Sequence, residues 1–112
     1  MTDCIFCKIV SGEYPCNKVY EDDEILAFKD TNPVAPVHVL FVPKKHFASL
    51  EEAGPEDQAL LGKMLLVIKG EAPKLGLSDG YRVVTNYGES AGQTVNHFHL
   101  HLLGGKYMSS MG

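Results

Sequence analysis

A chain of 112 residues, 45% of them hydrophobic, has room for one domain and not for two. It can bury about two-thirds of its unfolded surface, enough to fold alone with modest stability to spare. Fourteen acidic against ten basic residues give a net charge of −4, and Arg82 is the one arginine. This argues against a protein that holds nucleic acid electrostatically and excludes a phosphate site built from several arginines.

The first residues, Met1-Thr2-Asp3-Cys4, lack the basic and apolar regions of a signal peptide, and no apolar run approaches twenty residues. The expectation is a cytoplasmic protein with no membrane span, whose three cysteines are metal ligands or free thiols and not disulfides. Ile5, Phe6 and Ile9 have helical spacing and predict one or two turns ending at Ser11-Gly12. Val19-Tyr20, then Glu21 to Glu24, then Ile25 to Phe28 read as strand, polar turn, strand: a hairpin. Asp30 to Pro36 is a proline-stiffened loop. Val37 to Val42 is apolar at nearly every position, which predicts a central strand buried on both faces, stopped by Pro43.

Pro55 opens a helix, with Glu56 and Asp57 where the helix dipole favours negative charge. Leu60, Leu61, Met64, Leu65 and Ile68 form its apolar stripe, and Gly70 and Pro73 break or kink it before Gly76. Tyr81 to Thr85 is a strand, Asn86 to Gln93 a loop, and Thr94 to Leu103 the last strand, closed by Gly104-Gly105. There is no internal repeat and no linker. This order reads as α+β: a mainly antiparallel sheet with one long helix across it.

The segment His97-Phe98-His99-Leu100-His101-Leu102-Leu103 holds three of the five histidines. Strand alternation puts the histidines on one face and Phe98, Leu100 and Leu102 on the other. The apolar face predicts packing against the long helix, and the histidine face a cleft or a metal site. A solvated polar face is one reading. A three-histidine catalytic metal site is another, but same-face neighbours about 6.6 Å apart are poorly arranged to converge on one ion. In the third, one imidazole attacks while its neighbours orient it and handle protons, which suits a side chain well populated in its neutral form near pH 7. Gly88, Gly92, Gln93 and Thr94 precede this strand. A glycine-containing turn can form a nest of N–H groups that accepts a phosphate without a cation, although both glycines also suit ordinary turns. Cys4-x-x-Cys7 lacks the preceding strand and βαβ order of a redox motif, which leaves free thiols or part of a metal site.

The histidine segment resembles the signature of the histidine triad (HIT) family, His-φ-His-φ-His-φ-φ with φ apolar, and residues 97–103 fit it without mismatch. Tyr20-Glu21-Asp22-Asp23, Ala27-Phe28-Lys29-Asp30, Pro36-Val37-His38, Val42-Pro43-Lys44-Lys45-His46, Gly80-Tyr81-Arg82-Val83-Val84, Asn86 and Ala91-Gly92-Gln93-Thr94 resemble its Hint branch. The resemblance implies a HIT-like fold, an antiparallel five-stranded sheet with one long helix, and a homodimer with a continuous ten-stranded sheet. It implies binding of a purine nucleoside monophosphate and hydrolysis of nucleoside 5′-phosphoramidates, such as adenosine 5′-phosphoramidate or AMP-lysine, with no organic cofactor. By position it makes His99 the nucleophile that forms a nucleotidyl-histidine, His101 the group that holds the phosphate oxygen or the departing group, and His38 a support of the proton network. Asn86, Gly92 and Thr94 fall at the phosphate region, with Gln93 in the same turn. Asp30 falls at the ribose hydroxyls, and Ile5, Phe6, Ile9 and Phe28 around the base. The resemblance further implies a structural zinc on Cys4, Cys7, His46 and His97, with Cys16 a bystander.

A carboxylate such as Asp30 can accept both ribose hydroxyls, and it can equally cap the loop before Asn32-Pro33. The chain departs from the branch in its tail: it has no tryptophan and ends Lys106-Tyr107-Met108-Ser109-Ser110-Met111-Gly112 where the branch commonly carries Trp-Pro-Pro-Gly. Leaving-group specificity attributed to that tail therefore does not carry over. Two other functions compete: cleavage of dinucleoside polyphosphates, as in the Fhit branch, and a nucleotide-binding regulatory or scaffold dimer whose catalysis is incidental. The segments Ala27 to Asp30 and Gly80 to Asn86 favour the Hint branch over Fhit.

Overall fold

The hairpin forms as β1 (Lys18–Glu21) and β2 (Ile25–Lys29), paired antiparallel in a computed structural model that describes residues 4–111. Met1, Thr2 and Asp3, on which the signal-peptide reading partly rests, and the terminal Gly112 lie outside the described residues. Asp22 closes the turn: its carboxylate accepts the N–H of Glu24 at 2.7 Å and of Ile25 at 2.9 Å, the local bonding that makes aspartate a turn residue. Next comes β3 (Val37–Pro43), which pairs with β2 on one side and with β5 (Leu100–Gly104) on the other; β4 (Arg82–Val84) completes the sheet beyond β5. The strand order is β1-β2-β3-β5-β4, and every neighbouring pair is antiparallel.

β3 is central, and His38 to Pro43 are all buried, because both sheet faces are covered. Alternation divides the strands between two cores. Ile25, Ala27, Val39, Phe41, Leu100 and Leu102 pack with Met64 and Ile68 of helix α2 (Gln58–Glu71). Leu26, Phe28, Leu40 and Val42 pack on the opposite face with Phe6 of helix α1 (Ile5–Val10). α1 ends at Ser11 and a left-handed Gly12, as its spacing predicts. Among the described residues no helix is long and apolar enough to cross a membrane.

Two predicted elements differ in extent. The α2 stripe holds at Leu60, Leu61, Met64 and Ile68, but Leu65 is 52% exposed and its neighbour Leu66 is 67% exposed. Gly70 lies inside the helix, which ends before a short 3₁₀ turn at Pro73–Leu75 and a left-handed Gly76. The last strand begins at Leu100 and not at Thr94. Its partner β3 ends at Pro43, which has no N–H to donate to a longer ladder. Residues before Leu100 bond elsewhere: Phe98 N–H donates to the Phe47 carbonyl at 2.7 Å, and the His97 ring meets the Pro43 carbonyl at 2.8 Å. Alternation survives the loss of the ladder, since Phe98 joins the α2 core while His97 and His99 lie against Phe6 of α1.

A turn of 3₁₀ helix at Pro55–Asp57 leads into α2. The buried carboxylate of Asp57 accepts from the Gly54 N–H at 3.0 Å and from Lys45 Nζ at 2.6 Å. This bond ties the start of α2 to the segment that carries His46. Asp57→Ala leaves the Gly54 N–H without its partner and is expected to cost about 1–2 kcal/mol in urea unfolding. An unchanged midpoint would show that water replaces the carboxylate.

Candidate functional site

The face of the sheet under α1 carries the chemistry. His38 of β3, His101 of β5 and His99 just before β5 stand on this face because they share parity with Leu40 and Val42 in the ladder. They line or back a cavity of about 590 Å³, within the size range of small-molecule sites, about 300–1,000 Å³. One wall is α1, through Ile5, Phe6 and Ile9. Phe28 and Leu40 of the sheet, Asp30, Thr94, His99 and His101 complete much of the rest. Phe6 stands edge-on to Phe28 at 5.6 Å between ring centroids and to His99 at 5.1 Å.

His99 is 7% exposed, and its Nδ1 lies 2.7 Å from the His97 carbonyl oxygen. A carbonyl can only accept, so Nδ1 carries the proton and Nε2 keeps a bare lone pair. The His101 ring is 4.9 Å from that of His99, centroid to centroid. Behind it lies His38, 7% exposed, with Nε2 2.9 Å from His101 Nδ1 and 3.4 Å from Asp30 Oδ2. His38 thus backs the site without lining the cavity. Asp30 caps the loop, its Oδ1 accepting the Asn32 N–H at 2.8 Å, and its side chain also lines the cavity.

Burial pushes His38 and His99 below their ordinary values, and burial together with the neighbouring His99 and His38 rings pushes His101 from 6.5 to about 4. All three are neutral at pH 7. The consequence for stability follows from linkage: between pH 4 and 6.5 the unfolded chain binds more protons than the folded one, so stability rises with pH through this window. Urea midpoints measured at intervals from pH 7 down to pH 5 are expected to fall, and a flat series would contradict the buried neutral histidines.

The predicted phosphate loop divides. Thr94 reaches the cavity, whereas Asn86, Gly92 and Gln93 do not line it. Asn86 Nδ2 donates to the Ala91 carbonyl at 2.7 Å. The Gln93 amide is spent on Ala48 and Val95 carbonyls and on the Gly88 N–H. The Gly92 and Gln93 N–H groups bond to Glu89 and Gly88 carbonyls. These residues shape the loop, and its N–H groups at 88, 92 and 93 are not free to cradle a phosphate. Tyr14, Pro15, Cys16, Asn17, Thr31 and Asn32 line the cavity without having been expected there. The hairpin register carried the signal for part of this set: Lys29 N–H bonds to the Asn17 carbonyl at 3.0 Å, so whatever precedes β1 lies beside Asp30. Cys16, read as a bystander, stands in the cavity wall.

A second cluster lies at the start of α1. Cys4, Cys7, His46 and His97 offer ligand atoms that all fall within 4.8 Å of one another. His97 Nδ1 is 3.4 Å from Cys4 Sγ, 3.5 Å from Cys7 Sγ and 3.1 Å from His46 Nδ1, which is itself 3.3 Å from Cys7 Sγ. Four such ligands at tetrahedral angles on a zinc ion stand about 3.3–3.8 Å apart, so the donor set fits. His97 is fully buried, and its Nε2–H donates to the Pro43 carbonyl, which leaves the Nδ1 lone pair facing the cluster. Burial and the neighbouring Cys4 thiol push the Cys7 thiol up to about 11, so a cation would be required to hold it as thiolate.

A family model described as "Scavenger mRNA decapping enzyme C-term binding" matches residues 3–112. Protein HitA of Neisseria gonorrhoeae is 51% identical over 104 residues, 93% of this chain and 97% of that protein. The crystal structure of a histidine triad protein from Clostridium difficile superposes with a TM-score of 0.95 at 46% identity, covering 100% of this chain and 98% of that one. The chain belongs to the histidine triad family. Another similar structure, a HIT family hydrolase from Legionella pneumophila, has a TM-score of 0.93 at 48% identity over 96% of both chains. The histidine triad motif at residues 97–103 therefore divides its labour by position: His97 joins the cysteine cluster, while His99 and His101 face the cavity.

Proposed function

We propose that this histidine triad protein is a nucleoside phosphoramidase of the Hint branch, acting through a nucleotidyl-histidine on His99. The observation that carries this reading is the bare Nε2 lone pair of a buried, neutral His99, held by the His97 carbonyl and facing a nucleotide-sized cavity. The hydrolase named among the similar structures supports the reaction class.

The apolar wall of Ile5, Phe6, Ile9 and Phe28 takes the purine, and Asp30 the ribose hydroxyls. His99 Nε2 attacks the α-phosphorus; the P–Nε2 bond forms, the P–N bond to the departing amine breaks, and the amine leaves with a proton delivered through His101. Water then attacks the phosphorus; the P–O bond forms, the P–Nε2 bond breaks, the water's proton passes back to His101, and nucleoside monophosphate and free His99 result. Two displacements of this kind replace one harder one. Thr94 offers its hydroxyl to the phosphate at the cavity wall.

Cys4, Cys7, His46 and His97 hold a structural zinc ion, in keeping with a thiol-preserving cytoplasmic setting. When bound it supplies ligand bonds that fasten α1 to the segment before β5, and it takes no part in bond cleavage. The open edge of β4 and the exposed Leu65 and Leu66 of α2 support a homodimer.

The decapping description of the matched family model favours a second reading, cleavage of a phosphoanhydride in a dinucleoside polyphosphate. Turnover of AMP phosphoramidate against diadenosine triphosphate decides between them. Preference for the phosphoramidate supports the first and preference for the triphosphate the second. Negligible turnover of both with AMP bound would leave a nucleotide-binding scaffold.

A further inference from the structure

The Asp30–Pro36 loop contributes an atom that the motif does not mention. Val34 lies between Pro33 and Pro36 and is 62% exposed as a residue, yet its main-chain N–H points inward, 3.1 Å from His38 Nδ1. The two prolines lack N–H groups, so Val34 and Ala35 are the only main-chain donors in residues 33–36. We propose that the Val34 N–H is a positioning group for catalysis: it orders the protons of the His38–His101 pair so that His101 presents an N–H beside the His99 lone pair. This deepens the phosphoramidase reading and rests on it for the chemistry, though not for the proton order.

The argument is one of donors and acceptors. A main-chain N–H can only donate, so His38 Nδ1 must be bare and the His38 proton sits on Nε2. That proton lies 2.9 Å from His101 Nδ1, which must accept it. The carboxylate of Asp30, 3.4 Å from His38 Nε2, favours a proton there too. The remaining His101 proton is then on Nε2, the nitrogen left for the cavity that His101 lines. His99 is ordered the opposite way by the His97 carbonyl. Two adjacent imidazoles, 4.9 Å apart, therefore present one lone pair and one N–H. Were the His38 order reversed, both would present lone pairs, and no ring N–H would meet the phosphoryl oxygen or departing group.

The same amide denies the site to a metal. Asp30, His38 and His101 have ligand atoms within 4.8 Å of one another, a grouping that suits a divalent cation. A cation on His38 Nε2 would force the proton onto Nδ1, against the Val34 N–H.

The test removes that one donor. In zinc-replete protein with ¹⁵N-labelled histidine, long-range ¹H–¹⁵N spectra are expected to show His38 and His101 both protonated on Nε2. Semisynthetic replacement of valine 34 by its α-hydroxy acid turns the amide into an ester and deletes the N–H while keeping every side chain. Val34→Pro is the genetically encoded counterpart. Either change is expected to mix the His38 tautomers and lower kcat on AMP phosphoramidate about 10²-fold, as for loss of an ordered proton donor. KM is expected to move by less than about threefold, since the loss falls in the transition state. The ester protein is also expected to gain inhibition by Ni²⁺ that the parent does not show. A parent with the His38 proton on Nδ1 would overturn the proposal, as would an ester protein with unaltered tautomers and kcat. If the parent turned over no phosphoramidate, the proposed chemistry would fail, and the spectra alone would still decide the proton order.

Discussion

His99→Ala is expected to lower turnover of AMP phosphoramidate by at least about 10⁴-fold, because it removes the atom that bonds to phosphorus and no neighbour can replace it. His101 cannot take over: its Nδ1 is occupied by His38, and its ring is displaced from that of His99 by 4.9 Å. AMP binding is expected to persist within about tenfold, since Ile5, Phe6, Ile9, Phe28 and Asp30 remain in the cavity wall. The His99 ring also contacts Phe6 at 5.1 Å, so some stability is lost with it. A folded variant, shown by an unchanged circular dichroism spectrum, separates the two effects. In His99→Gly, added imidazole is expected to restore part of the rate by occupying the vacated ring position. Activity within tenfold of the parent in the alanine variant would remove His99 as nucleophile, and with it the covalent route.

Loss of the cluster at the start of α1 is the second large effect. The double variant Cys4→Ser/Cys7→Ser is expected to lose zinc, at least about 3 kcal/mol of stability and, for a domain this size, more than about 10 °C in Tm. Two features make the cost high. α1 has six residues, far below the length at which a helix holds itself in water, so it depends on what fastens it to the sheet; the N-cap bond from the Cys7 N–H to the Cys4 sulfur, 3.2 Å, is one that serine can keep. His97 is fully buried and faces His46 Nδ1 at 3.1 Å, so without a cation two nitrogens and two thiols must share protons in a confined space. α1 is also a cavity wall, so weaker AMP binding is expected to accompany the loss. Metal analysis, calorimetry and AMP titration check the three consequences. Protein purified without chelator that holds no metal and melts unchanged in the double variant would remove the zinc proposal.

Much of this was legible in the chain itself. The apolar run of β3, the β1–β2 hairpin and the alternation of His97, His99 and His101 with Phe98, Leu100 and Leu102 are local patterns, and local periodicity decides which side chains share a face. The motif likeness reached further, since residues 97–103 pointed to the family that the comparisons show. Periodicity misled in two places: Leu65 has the spacing of a core residue but is half exposed among the described residues, and Thr94 to His99 alternate without a ladder because β3 has already reached Pro43.

The tertiary structure alone decided what each polar group does. Gln93 and Gly92 sit in a loop that reads as a phosphate nest, yet the Gln93 amide is spent on the Ala48 carbonyl, 45 residues away, and on its own loop. Cys16 and Asn17 became cavity wall because the hairpin folds them against Asp30. No pattern of residue types states that the His38 ring will meet the Val34 amide, or that His99 will be held by a carbonyl and His101 by a ring. The sequence by itself determined the elements, the faces and the family. The protonation of each histidine was left to the folded chain, because an imidazole takes its tautomer from the donor or acceptor that folding brings to it.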